Sequence, residues 1–272
     1  EEYLGKGKYE LYKKGTITFS DLVNQNGRTL KISELTKINP IAKVSNIPTI
    51  DFGYDGKFNK YVENIRDEAK IVIDKLPKPK KIIDVDNIGS YYSTGTIANG
   101  KATNTNATFL HEYGHFIDDT LGKNNIYKSS ENSFKDALVK DAFTHLDNNG
   151  TFKNNNLIRF VEDLHETRLV NGKYRTARVK NENNGMIADI ADAMSGGRMG
   201  ELEALNSKKI HVGHGIDYYG GKILHRSRTE TFANMFSIWS QNDLESIENI
   251  KKIAPNTYKE FENIINNIVQ SK

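Results

Sequence analysis

Apolar residues recur three and four positions apart over most of the C-terminal half of the chain, which is the spacing of helices that bury one face. The pattern predicts helices over residues 130–147, 156–169, 185–197, 229–240, 243–252 and 255–270. Residues 59–76 show the same spacing. So do residues 106–121, which have Thr105 or Asn106 as an N-cap and Gly122 just past the end.

Short runs typical of β-strands precede most of these helices. Residues 79–86 are predicted to form a strand, and residues 89–101 a second strand with a turn. Residues 198–228 lack periodicity and are predicted to form a loop. Strands first and helices later indicate an α+β fold. Residues 1–55 show little periodicity and form an N-terminal segment of open role, which leaves 56–272 as the main domain.

The composition excludes several kinds of protein and site. The 272 residues include no cysteine, which rules out disulfide scaffolds, thiol nucleophiles and cysteine zinc sites. The net charge of +3 is too small to indicate a nucleic-acid partner. No run of 18 apolar residues is present, so no membrane span is predicted, and residues 1–15 carry no apolar signal core.

The predicted helix at 106–121 carries a specific motif, TFLHEYGHFIDD (108–119). His111 and His115 are four residues apart, so both rings lie on one helix face with Cβ atoms about 5–6 Å apart. Glu112 lies beside them, where its carboxylate can take a proton from water. This composition would produce roughly 0.02 such matches by chance, although two surface histidines remain the alternative interpretation. The motif predicts one zinc ion per chain, with Glu112 as general base.

The residues around the motif indicate that this helix is largely buried, because Phe109, Leu110 and Phe116 flank the histidines. Gly114 inside such a helix costs about 1 kcal/mol relative to alanine. We therefore expect another backbone to approach closely at Gly114.

A catalytic zinc needs a third protein ligand. The metzincin arrangement would place it six residues after His115, but Leu121 occupies that position and Asp118 replaces the required glycine. The remaining histidines are candidates in principle: His145, His165, His211, His214 and His225. The segment HETRL (165–169) lacks a second histidine and is interpreted as a surface helix position.

Glu230 is the stronger candidate for the third ligand. One stripe of its helix is apolar and is expected to dock on a core: Phe232, Met235, Phe236 and Trp239. The neighbouring stripe is small and polar, so it lets a second helix come close: Glu230, Ala233, Asn234 and Ser237. A glutamate favoured by the helix dipole is the alternative, and spacing alone leaves both interpretations open.

Several segments resemble known metallopeptidase families. HEYGHFIDDTLG (111–122), RTETFANMFSIW (228–239) and APNTYKEF (254–261) resemble the catalytic domains of the anthrax lethal factor and Pro-Pro endopeptidase family. DIADAMSGG (189–197) and GHGIDYYGG (213–221) are similar to zincin-like domains associated with phage minor head proteins and polymorphic toxins.

This resemblance implies a gluzincin in which His111, His115 and Glu230 hold zinc and Glu112 acts as general base and acid. It also implies a zincin-like catalytic domain at 56–272, with a small twisted sheet packed on the active-site helix and a helical C-terminal half. A secreted, injected or virion-associated protein is expected, with a larger parent or delivery protein as a further partner.

Two positions depart from the resemblance. Asn234 stands where these proteins often carry an acidic residue behind the metal, although its side-chain carbonyl could still accept a histidine Nδ1–H. Ile223 stands where the lethal factor family has a catalytic tyrosine. Tyr218 and Tyr219 are the candidate replacements, and only one of two adjacent residues in an extended loop should face the zinc. His225 is a weaker candidate donor.

These observations predict a zinc metalloendopeptidase that acts on a peptide or protein substrate. The alternative is a zincin-fold binding or assembly module with little turnover, against which the intact Glu112 argues. A nucleic-acid binder would rest on the lysines alone and is not predicted.

Overall fold

The computed structural model describes residues 47–53, 56–86, 89–101, 103, 105–123, 126–166, 169–170, 173–174, 178–200, 203–204, 208–209 and 214–271. The chain divides into two compact units, Glu1–Pro48 and Thr49–Lys272. Short β-like runs such as GTITF (15–19) and the candidate ligand His211 lie outside the described residues, so the role of the N-terminal segment stays open. Phe52 belongs to the core of the second unit, where its ring contacts those of Phe109 and Tyr113.

Helices dominate the described part of the chain, where nine α-helices are present. They are α1 (Asp67–Lys75), α2 (Asn106–Leu121), α3 (Asn132–His145), α4 (Asn156–Asp163), α5 (Glu182–Met194), α6 (Gly215–Tyr219), α7 (His225–Ser240), α8 (Leu244–Ile253) and α9 (Pro255–Gln270). The three longer strands are β1 (Lys81–Val85), β2 (Tyr91–Ser93) and β3 (Thr96–Gly100). These elements confirm the predicted α+β class.

The remaining strands are two residues long and form three small antiparallel pairs. These pairs are β4 (His165–Glu166) with β7 (Arg178–Val179), β5 (Leu169–Val170) with β6 (Lys173–Tyr174), and β8 (Glu203–Ala204) with β9 (Lys208–Lys209). In the described residues no helix is both long enough and apolar enough to cross a membrane.

A three-stranded sheet of order β1-β3-β2 packs against α2. β1 runs parallel to β3, and β2 runs antiparallel to it. The strand and turn predicted at 89–101 are both present, but a tight turn at Thr94 and Gly95 divides the segment into two strands, β2 and β3. Both turn residues have positive φ angles, 44° and 84°, and a threonine seldom adopts this conformation.

α2 and α7 form the centre of the fold. The predicted apolar stripe of α7 is buried, and the Phe232 and Phe236 side chains within it are fully buried. Its small and polar stripe faces α2, where Ser237 Oγ donates to the Ala107 carbonyl at 2.7 Å. A β carbon on Gly114 would lie 2.7 Å from Ala233 Cα, which confirms the expected close approach of a second backbone.

The C-terminal helix α9 is held to α3 by Asp141. Its buried carboxylate accepts hydrogen bonds from the backbone N–H groups of Asn256 (3.2 Å) and Thr257 (2.7 Å), and from the Thr257 hydroxyl (2.7 Å). An acceptor at this place satisfies the free N–H groups of the first turn of α9.

Two predictions in the loop and helix before Glu230 were wrong. Residues 198–228 were expected to be a loop, but they contain α6, which is too short to show a helical period. α7 begins at His225 instead of residue 229. The segment HRSR (225–228) has no apolar residue, so the hydrophobic pattern could not extend the helix over it.

The helix predicted at 156–169 ends at Asp163, and His165 is not on a helix surface as expected. His165 is buried in β4, where it pairs with Val179. Its Nδ1–H donates to the Val161 carbonyl at 2.7 Å, at the end of α4. Strand pairing with β7 therefore overrides the helical spacing of the sequence.

The helix predicted at 59–76 begins only at Asp67, after a short 3-10 turn at Asn59–Tyr61. Arg66 is extended, with ψ at 152°, and its N–H donates to the Ser240 carbonyl at 2.9 Å. Its guanidinium lies over the Trp239 ring at 4.6 Å. These contacts with the end of α7 stop α1 from extending toward Asn59.

Candidate metal centre

The α2 helix presents two histidines to α7. Its N-terminus is capped by Thr105, whose Oγ1 accepts the Thr108 N–H at 3.1 Å, which confirms one of the two expected caps. His111 and His115 lie on the α7 side of this helix, with ring centroids 4.7 Å apart and planes at 90°. Their Nε2 atoms are 3.1 Å apart. Both nitrogens are thus directed to one point between the helices.

Glu230 reaches this point from the first turns of α7. Its Oε2 lies 3.2 Å from His111 Nε2 and 3.5 Å from His115 Nε2. The Glu230 residue is 5% exposed, and the groups that face its buried Oε2 are imidazole nitrogens. A cation held between this carboxylate oxygen and the two ring nitrogens would satisfy it. The three residues are therefore positioned to hold a metal ion, and their donor atoms fit one.

Asn234, one turn after Glu230, fixes the ring of His111. Its Oδ1 lies 2.8 Å from His111 Nδ1. An amide oxygen only accepts, so the Nδ1 atom carries the proton. In the neutral ring the Nε2 lone pair is then directed toward Glu230, which is the arrangement that a metal-binding histidine requires.

Asp189 on α5 lies behind Asn234 and was not predicted from the sequence. Asn234 Nδ2 donates to Asp189 Oδ2 at 2.8 Å, and the Tyr219 hydroxyl donates to Asp189 Oδ1 at 2.9 Å. The signal available in the sequence was an aspartate between the apolar Ile187 and Ile190 of a helix, because buried acids are rare unless they have partners.

Tyr218 and Tyr219 have different partners. The Tyr218 hydroxyl donates to Glu230 Oε1 at 2.7 Å, whereas the Tyr219 hydroxyl donates to Asp189. The two rings are nearly perpendicular, at 84°. They lie on the short helix α6 and not on the extended loop expected from the sequence. Gly220 and Gly221, with φ angles of 69° and 70°, are in the left-handed conformation and end α6 after them.

His214 is the nearest to Glu230 of the four candidate histidines that the structure describes, His145, His165, His214 and His225. It stacks on Tyr218 with centroids 4.1 Å apart, and its Nε2 lies 3.8 Å from Glu230 Oε2. Asp189, His214 and Glu230 form a second trio of donors within 4.8 Å of one another. Both Asp189 oxygens already accept hydrogen bonds, so the trio with His111 and His115 is the better metal site.

Three of the other histidines have roles in other contacts. The His145 Nε2–H donates to the Ile253 carbonyl at 2.9 Å, and His165 donates to the Val161 carbonyl. His225 Nδ1 lies 3.0 Å from Ser130 Oγ, and its ring lies against Tyr127.

The pKa values of the ionisable groups in the site depend on each other. Burial opposes ionisation of Glu230, but His115, His111 and His214 outweigh it and hold the Glu230 pKa well below its usual value. Burial also opposes the charged form of His111, but Glu230 and Glu112 raise the His111 pKa to about 9. Metal binding would therefore displace a proton from His111.

Glu112 lies on α2 between the two histidines in sequence and interacts electrostatically with both of them and with Glu230. It is 6% exposed, and burial raises the pKa of its carboxyl while His111 and His115 oppose the rise. Its carboxylate accepts the backbone N–H of Tyr92, on the outer strand β2 of the sheet. The carboxyl is thus held at the edge of the sheet, next to the candidate ligands.

The geometry brings together His111, Glu112, His115, Tyr218 and Glu230 from α2, α6 and α7. The Tyr219 hydroxyl is bound to Asp189 instead. Comparisons with protein-family models, curated proteins and solved structures find no match for this chain. Its function therefore follows from the chemistry of these side chains.

Proposed function

We propose that this chain is a zinc-dependent metalloendopeptidase of the gluzincin kind. The observation that carries the proposal is the buried Glu230 Oε2, which lies 3.2 and 3.5 Å from two histidine Nε2 atoms. Two imidazoles and one carboxylate are a donor set that suits zinc. His111, His115 and Glu230 would hold one ion per chain and leave a fourth position open.

Zinc in such a site supplies Lewis acidity toward a peptide carbonyl and lowers the pKa of water to about 7. Glu112 takes the proton from the attacking water and later delivers it to the leaving amine. Its raised pKa suits this exchange, because a carboxyl that is too acidic would hold the proton too weakly.

Tyr218 supplies the hydroxyl donor that Ile223 cannot. Glu230 Oε1 holds its hydroxyl at 2.7 Å, next to the ligand atom Oε2 of the same carboxylate. The hydroxyl has a single proton, which would turn from Glu230 Oε1 to the carbonyl oxygen during attack and stabilise the negative charge that develops there. The Tyr219 hydroxyl donates to the buried Asp189, which is not one of the three proposed ligands, so Tyr219 is not proposed as the donor.

The alternative function is a binding or assembly module that keeps the fold without turnover. Glu112 favours the enzyme, because burying its carboxyl costs stability, and a module without turnover would gain nothing from a base beside the proposed ligands. The resemblance supports a delivered toxin or a phage-associated protein as the setting for this activity, with a peptide or protein as substrate.

The test compares the wild-type chain with Glu112→Gln, His111→Ala and the matched surface variant Glu248→Gln. We expect zinc content of about one ion per chain in all but His111→Ala. Cleavage of a peptide library should fall by about 10²–10⁴ in Glu112→Gln and stay unchanged in Glu248→Gln, whose side chain is half exposed.

Each contrary outcome has a separate meaning. Equal cleavage by Glu112→Gln would remove the general base from the mechanism. Unchanged zinc affinity in His111→Ala would mean that the metal site is wrong. Tight zinc binding by a wild-type chain that cleaves no peptide would favour the binding module.

A further inference from the structure

We infer that Asp189 is a positioning residue that orients His111 for the metal through the side-chain amide of Asn234. This inference rests on the proposed metal site. The connection runs from Asp189 Oδ2 to Asn234 Nδ2 at 2.8 Å, and from Asn234 Oδ1 to His111 Nδ1 at 2.8 Å. It joins α5 to α2 through one residue of α7.

The carboxylate of Asp189 determines which way the Asn234 amide points. If the amide were turned over, its oxygen would face the Asp189 oxygen, and two acceptors would then lie at hydrogen-bond distance with no proton between them. Its NH₂ group would also face His111 Nδ1. Asp189 therefore selects the orientation in which Asn234 Oδ1 faces the histidine.

The orientation of the amide in turn determines the tautomer of His111. Because Asn234 Oδ1 can only accept, the neutral ring that fits it is protonated on Nδ1 and has its lone pair on Nε2. That lone pair is directed at the ligand position beside Glu230. A carboxylate two hydrogen bonds from the ring thus performs the task that a directly bonded carboxylate usually performs.

Burial makes this selection effective. Asn234 is 2% exposed and Asp189 is 7% exposed, so water competes little for either side chain. The second oxygen of Asp189 is occupied by the Tyr219 hydroxyl at 2.9 Å. The Tyr219 hydroxyl therefore satisfies the Asp189 oxygen that does not face Asn234, which accounts for a tyrosine that does not contact the candidate ligands. The acid that is absent at position 234 is supplied from another helix.

The test exchanges the Asp189 and Asn234 side chains in the full chain. Zinc affinity is measured by competition with a chelator. Asp189→Asn and Asn234→Ala should each weaken zinc binding about 10-fold or more. The double variant Asp189→Asn/Asn234→Asp moves the carboxylate directly onto His111 and lets the new amide at position 189 donate to it. Its affinity should return to within about 3-fold of wild type.

Two further measurements separate positioning from packing. Thermal unfolding of the zinc-free variants reports any general loss of structure. Tyr219→Phe removes the other hydrogen bond of Asp189 but leaves the connection to His111, so its zinc affinity should stay within about 3-fold of wild type.

Wild-type zinc affinity in Asp189→Asn would overturn the inference. So would a double variant that folds and binds as weakly as Asp189→Asn, because only a role in local packing would then remain. If Asp189→Asn does not fold, Asn234→Ala decides, and unchanged affinity there overturns the inference equally. A wild-type chain that binds zinc no better than His111→Ala would instead refute the proposed metal site.

Discussion

Gly114 and Ala233 lie at the closest approach between the two helices that carry the candidate ligands. A β carbon on Gly114 would be 2.7 Å from Ala233 Cα and 3.0 Å from its carbonyl oxygen. Glu230 lies one turn before Ala233, and His115 directly follows Gly114. The spacing of the helices here therefore determines whether the carboxylate can meet the two rings.

Gly114→Ala should accordingly weaken both the fold and the metal site. Backbone atoms cannot give way as a flexible side chain can, so the helices must separate, with a loss of about 1–3 kcal/mol in the free energy of unfolding. Glu230 then moves away from His111 and His115, and zinc affinity should fall as well. Urea unfolding and chelator competition measure the two effects.

Gly185→Ala is the matched control on another helix. Its β carbon would lie 3.7 Å from Val179 Cγ2, an ordinary contact, and the position is helical. The substitution should stabilise the protein by about 0.4–1 kcal/mol through the unfolded chain and leave zinc affinity unchanged. Equal behaviour of the two variants would contradict the role given to the close approach at Gly114.

The parts of the site that could be predicted from the sequence are those that depend on the spacing of residues along one helix. The interval between His111 and His115 places both rings on one face, and the small stripe through Ala233 predicts a close helix contact. The role of Asp189 could not be predicted in this way, because its partners Tyr219 and Asn234 are far away in sequence. Only the packing of α5 against α7 brings them together.

Short elements were the other limit of prediction. α6 spans Gly215–Tyr219, which is little more than one turn and cannot show a helical period. A turn was predicted within 89–101, but its position at Thr94 depends on a positive φ angle that threonine rarely adopts, so residue preference did not locate it. In both places the tertiary structure, and not the local pattern, determines the conformation.

Asp141 should stabilise the fold without affecting the metal site. In Asp141→Asn one acceptor oxygen becomes an NH₂ group that faces donors from Asn256 or Thr257. We expect a loss of about 1–3 kcal/mol in the free energy of unfolding, measured in urea. Zinc affinity should stay near wild type, because the contacts of this carboxylate are with α9.

The control for this prediction is Asp136→Asn on the same helix, since its side chain is 70% exposed. A change of less than about 0.5 kcal/mol is expected there. If Asp141→Asn unfolds no more easily than this control, the anchoring of α9 has been assigned to the wrong residue.

Asp118 should make stability depend on pH. Burial and the nearby Asp119 raise its pKa to about 7, against the opposing effect of the Ser129 donors and Arg228. The folded pKa is above the unfolded one, so the folded protein binds the extra proton. The contribution to stability is complete below about pH 4 and is lost as the pH rises to about 7, by at most about 1.4 kcal/mol per pH unit.

The measurement compares urea unfolding of wild type and Asp118→Asn over this range, in chelator so that metal binding does not contribute. As the pH rises, the unfolding free energy of wild type should fall relative to that of Asp118→Asn, because the amide does not titrate. Parallel curves would show that Asp118 is ionised throughout, as its bonds from the Ser129 N–H and hydroxyl at 2.6 Å would favour.

The two neighbouring tyrosines should have separable functions. Tyr218 donates to Glu230 Oε1 at 2.7 Å, so its hydroxyl lies beside the ligands, whereas the Tyr219 hydroxyl donates to the buried Asp189. Tyr218→Phe should lower kcat by roughly 10²–10³ when zinc is saturating, because one donor to the developing oxyanion is lost. Zinc content should change little, since no ligand atom is removed.

Tyr219→Phe should affect stability instead, with kcat close to wild type. Loss of its hydroxyl leaves Asp189 Oδ1 buried without a donor, which costs about 1–3 kcal/mol of unfolding free energy. Peptide cleavage and urea unfolding, measured on both variants, distinguish the two roles. A pair of variants with wild-type kcat would leave the oxyanion donor unassigned, and a loss of kcat in Tyr219→Phe alone would reverse the assignment. His214→Ala, which removes the ring stacked on Tyr218, would then be the next variant to assay.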